Sequence, residues 1–120
     1  MSFETEERYH AVVIRPKGKF LGSTKGDEFR GLIDRYKETG LKNVVVDLSK
    51  TDFMDSTAIG VLIASLTTMR RAGGDVRLAE IDSRIKNLFL VTRLLGPVFT
   101  AYETVDEAEK SYVEHPAVAR

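Results

Sequence analysis

Apolar positions along this chain recur with two periods that alternate from the N-terminus onward. Within Tyr9 to Pro16, His10, Val12 and Ile14 alternate with Ala11, Val13 and Arg15, the spacing of a strand covered on at least one face. Gly18 and Gly22 then bracket a turn. From Ser23 to Glu38 the period lengthens: Phe29, Leu32, Ile33 and Tyr36 line one face of an amphipathic helix that Ser23 or Thr24 can cap and Gly40 can end. Val44 to Leu48 is apolar except at Asp47, as expected of a central strand in a parallel sheet. Ile59, Leu62, Ile63, Leu66 and Met69 mark the next helix, from about Ser56 to Ala72. Gly73 and Gly74 stop it, and Arg70 and Arg71 lie at the negative end of its dipole as solvated helix-end charges, as Asp27, Glu28 and Arg30 are on the helix before.

The second half repeats the alternation. Val76 to Ile81 predicts a strand, and Asp82 or Ser83 caps a helix bearing Ile85, Leu88, Phe89 and Thr92 that Gly96 and Pro97 end. Val98 to Tyr102 predicts a short strand. Thr104 and Glu107 have capping-box spacing before a last helix that turns Val105, Ala108 and Tyr112 inward. Four strand-helix alternations at such short intervals predict one α/β domain over residues 1–120. Its core is expected over about 8–113, with a frayed tail over 114–120.

Composition narrows the function. Eighteen basic residues balance eighteen acidic ones, so no overall field draws the chain to nucleic acid or an anionic membrane. No apolar run approaches a spanning length, the N-terminus reads as no signal peptide, and there is no cysteine. A cytoplasmic protein that neither inserts in a membrane nor binds nucleic acid directly is expected. His10 and His115 lack metal-ligand spacing, and no glycine-rich phosphate cradle or nucleophile elbow appears. Neither a metal, a cofactor nor a catalytic site is expected.

What remains is the turn between the Val44 strand and the Ser56 helix. Asp55, Ser56 and Thr57 are all good N-caps. Either the triplet merely caps the helix, or, since three caps exceed what one terminus needs, a hydroxyl stays open to solvent. Ala58 and Gly60 would leave room around it.

The stretch Asp47-Leu48-Ser49 through Phe53-Met54-Asp55-Ser56-Thr57-Ala58-Ile59-Gly60-Val61-Leu62 resembles the signature of the STAS domain, in particular the bacterial anti-sigma-factor antagonists. The likeness runs from Pro16 to Tyr112 and implies a mainly parallel sheet of four to five strands with about four helices. By that resemblance, Ser56 is the phosphoacceptor. The unmodified domain binds an anti-sigma factor that is also a GHKL-type serine kinase. Phosphorylation breaks the complex, and a phosphatase acting on Ser56 restores it. Met54, Asp55, Ser56 and Thr57, with Gly22, Ser23 and Thr24, are expected at the partner surface.

One departure bears on that expectation. The family often carries Gly-Glu-Leu-Asp before its first helix, whereas Gly18-Lys19-Phe20-Leu21 stands here, so Lys19 and Leu21 replace both carboxylates. Phe20 and Leu21 are either core residues or an exposed apolar contact. The alternative function is a STAS subunit that docks constitutively on a lipid-transport ATPase or signalling scaffold, its serine never phosphorylated.

Overall fold

The computed structural model describes residues 3–117. A five-stranded sheet is built from β1 (Phe3–Glu7), β2 (Val12–Pro16), β4 (Asn43–Asp47), β6 (Asp75–Ala79) and β7 (Ala101–Tyr102), neighbours in that order. Only β1 is antiparallel; β2, β4, β6 and β7 pair in parallel, so the chain steps across the sheet in one direction. A second, two-stranded ladder pairs β3 (Gly18–Phe20) with β5 (Thr51–Met54). The helices are α1 (Gly22–Glu38), α2 (Ser56–Arg71), α3 (Ser83–Val91) and α4 (Val105–Glu114).

Two cores sandwich the sheet. On one face Val12, Ile14, Val44, Val46, Val76 and Leu78 meet α1, α2 and α3. On the other, Val13, Val45 and Ala79 meet Val105, Ala108 and Tyr112 of α4. This explains why Val44 to Val46 shows no alternation: successive valines enter opposite cores, and both are dry. Asp47 continues the α4-side row and is only 3% exposed, its carboxylate accepting from Arg15 Nε and, at 2.9 Å, from the Ser49 amide.

Several expectations need correction. No strand was expected before Tyr9, yet Phe3 to Glu7 forms the sheet edge. It is anchored by one apolar side chain, Phe3, whose ring lies 5.4 Å from Phe20 and 5.7 Å from Phe29. Two of its glutamates face basic partners: Glu4 pairs with Arg15, Lys17 and Lys50, and Glu6 with Arg8 and Arg15. Tyr9 and His10 belong to the β1–β2 turn, so the second strand starts only at Val12.

The third helix stops at Val91, before Thr92 and well short of Gly96. A Schellman closure ends it, with the Leu94 amide on Phe89 O and the Arg93 amide on Leu90 O. Arg93 takes the left-handed conformation there, φ 59°, where glycine is usual. The strand expected over Val98 to Tyr102 contracts to Ala101–Tyr102. Arg70 is no solvated charge: it bonds Asp75 at 3.0 Å and the Val98 carbonyl at 3.3 Å, tying the end of α2 to β6 and the α3–β7 connection. Of the tail, Glu114 closes α4, and residues 118–120 lie outside the described residues.

Candidate functional site

The Ser56 turn is assembled by the small ladder. The Gly18 amide donates to Lys50 O at 2.8 Å, Thr51 Oγ1 to Pro16 O at 2.9 Å, and Phe20 pairs with Met54. Where the sequence suggested only a turn between Gly18 and Gly22, this pairing runs two chain segments side by side. The first residues of α1 and α2 therefore emerge together.

Asp55 joins them. In extended conformation at the N-cap of α2, its Oδ1 accepts from the Ala58 amide at 2.9 Å, the expected cap. Its Oδ2 accepts from the Gly22 amide at 3.0 Å. The N-cap position of α1 is Leu21, which offers no side-chain acceptor, so neither Ser23 nor Thr24 caps that helix; the carboxylate of Asp55 does. The Gly22 backbone, φ +78°, is in the left-handed region open to glycine. Two helix N-termini thus share one anion. The Ala58 amide foremost, with the Gly22 amide adding to it, holds the Asp55 carboxyl below its ordinary pKa.

This settles the capping question. Asp55 alone does the work, and Ser56 and Thr57 in the first turn are exposed, their hydroxyls without protein partners among the described residues. Ser23 and Thr24 are exposed on the adjoining first turn of α1, while Met54 is half-buried against the main core. The fold therefore gathers Gly22 to Thr24 and Met54 to Thr57 at one corner. Ala58 turns into the core, so its small size does not bear on the space around the serine. Gly60 leaves open space: a side chain built there would meet nothing within 4 Å.

The pair Phe20 and Leu21 divides between the two readings. Phe20 is core, and Leu21 is 38% exposed beside the turn. Phe53, which sequence reasoning passed over, is 53% exposed, with the Arg84 guanidinium 5.8 Å from its ring centroid. Its signal was present: Thr51 and Phe53 are good strand formers beside the motif.

Acid-base or metal chemistry finds little footing at this corner. His10 lies in the β1–β2 turn and His115 at the end of α4. Among the described residues, no cluster of potential ligands could hold a metal ion. A cleft of about 370 Å³ between α3 and β7, lined by Ile81, Lys86, Leu95, Phe99 and Tyr102, does not include the serine. What the corner offers is a hydroxyl on a surface tied in place.

The chain is thus an α/β domain with this sheet order and an Asp-Ser turn at the head of its second helix. The STAS domain family model matches residues 2–108, and the chain belongs to that family. Among curated proteins it is similar to the anti-sigma-B factor antagonist of Staphylococcus aureus, 22% identical over 90 residues, which span 75% of this chain and 81% of that protein. Among solved structures it is similar to an anti-sigma factor antagonist from Mycobacterium paratuberculosis, with TM-score 0.77 and 18% identity over 91% of each chain. It is also similar to the Bacillus cell fate determinant SpoIIAA in its phosphorylated form, with TM-score 0.70 and 23% identity over 90% of this chain and 96% of that one.

Proposed function

We propose that the protein is an anti-sigma-factor antagonist, a binding protein without catalytic activity, whose switch is reversible phosphorylation of Ser56. The observation that carries this reading is the division of labour at the turn: Asp55 caps both helix starts, leaving the Ser56 hydroxyl exposed and unpaired among the described residues. The partner is an anti-sigma factor that doubles as a GHKL-type serine kinase, and a phosphatase resets the switch. All of this takes place in the cytoplasm, where ATP supplies the phosphoryl group.

A phosphate on Ser56 brings about −1.5 to −2 charges. The positive ends of the α1 and α2 dipoles lie at this corner and tolerate the anion, so the domain keeps its fold. A partner surface fitted to a neutral hydroxyl beside the Asp55 carboxylate meets repulsion and a desolvation cost instead. The complex separates although neither protein unfolds.

The test is to incubate wild type and Ser56→Ala with ATP and the purified GHKL-type kinases of the host, mapping phosphate by peptide mass spectrometry. Modification of Ser56 in the wild type and none in the variant is expected. Ser56→Asp should bind the same kinase at least about tenfold more weakly. Phosphate only on other residues, or full affinity in Ser56→Asp, would overturn the reading.

A further inference from the structure

We infer that the exposed face of the β3–β5 ladder is a specificity surface that receives an apolar side chain flanked by a carboxylate on the partner protein. This rests on the proposed function, because the ladder leads directly into the Ser56 turn. Lys19 pairs with Phe53 across the ladder, and both are exposed, whereas the next pair, Phe20 and Met54, turns inward. Leu21 then returns to the surface beside Gly22. Arg84, from the first turn of α3, reaches across to the Phe53 ring.

Lys19, Leu21 and Phe53, with Arg84 near the Phe53 ring, thus place exposed apolar surface and two cations on and beside the ladder that leads into the Ser56 turn. Phe53 and Leu21 remain accessible, and Lys19 enters no ion pair among the described residues. A half-exposed aromatic beside an uncommitted ammonium is the composition of an interface anchor with its charged edge. Arg84 is already engaged, by Asp82 at 3.3 Å and by the Phe53 ring, so it holds the anchor in place while Lys19 is available to a partner.

The occupant is a protein. Binding along nucleic acid or an anionic membrane requires several cations in a row, whereas Asp52 stands at the bulge beside Phe53 and Asp82 beside Arg84. A single unpaired lysine next to Leu21 and Phe53 matches one carboxylate beside one apolar side chain.

A photo-crosslinking amino acid placed at Phe53, and at the remote Lys110 as control, would be expressed in the native host and its adducts mapped by mass spectrometry. A protein adduct specific to position 53, through a segment containing aspartate or glutamate next to an apolar residue, is expected. The purified partner should then bind Lys19→Glu and Phe53→Ser each about tenfold more weakly or worse, with circular dichroism unchanged. Replacing the partner's mapped carboxylate by lysine should restore binding to Lys19→Glu. No adduct specific to position 53, an adduct to nucleic acid or lipid, or unchanged affinity in both variants would overturn the inference. Ser56→Asp separates the two readings. If it weakens this complex while the ladder variants do not, the switch stands and the surface falls. If the ladder variants weaken it and Ser56→Asp does not, the surface stands and the switch falls.

Discussion

At the scale of single residues, Asp55 has the widest consequences, because one carboxylate supplies an acceptor to two helix starts. Replacing it by alanine removes both bonds, so Asp55→Ala should melt at a lower temperature than wild type at neutral pH. The sign of the pH dependence follows from its lowered pKa. Its contribution is complete above the ordinary value of 3.8 and is lost as pH falls through the lower folded value. The melting-temperature gap between the two proteins should therefore close as the medium is acidified below that range; a gap that persists unchanged there would show that the carboxylate's charge is not what matters. The N-cap role was legible from the Asp-Ser-Thr spacing. The bond to Gly22 was not, because a side chain 33 positions away supplies it.

At the scale of elements, two glycines in the paired helices make opposite demands. A β-carbon at Gly26 of α1 would lie 2.9 Å from Val61 Cγ2 of α2, so the glycine sets how closely the helices approach. Gly26→Ala gains helix propensity but forces them apart, and should cost about 1–3 kcal/mol in urea unfolding. Gly60, exposed on α2 with open space around it, has no such task. Gly60→Ala should stabilise the fold by roughly 0.5–1 kcal/mol; a destabilised Gly60→Ala would mean the fold itself needs that glycine.

The long elements were readable because their periods are strong. Glycine also marked where α1 and α2 end, at Gly40 and Gly73, both with positive φ. The end of α3 was misplaced because Arg93 fills the position a glycine normally announces. β1 was missed for a related reason: an edge strand with one buried side chain carries no apolar alternation, and its Glu4 and Glu6 serve ion pairs.

At the scale of the whole molecule, the fold depends on closing the second face of the sheet with one helix. Tyr112 of α4 performs much of this: its hydroxyl donates to Val44 O at 2.6 Å, lies 3.0 Å from Asp75 O, and accepts from the Val44 amide at 3.1 Å. Burial pushes its pKa up, which keeps it a neutral donor. Tyr112→Phe removes these side-chain bonds while the β4–β6 ladder keeps its own, and should cost about 0.5–1.5 kcal/mol, measured by chemical denaturation; a variant as stable as wild type would mean that apolar packing alone holds α4. The sequence made the inward face of α4 legible, Tyr112 included, but not the side of the sheet it covers, since that depends on which valines of a continuous run turn toward it.

The shared carboxylate also has a kinetic meaning. A corner whose two helix starts are already tied to each other has little motion left to lose when a partner lands on it. The chain's balanced charge, eighteen of each sign, provides no long-range pull to hasten that landing. Under the proposed function, a phosphate on Ser56 would change chiefly how long an encounter lasts, which would make the switch a timer on the complex.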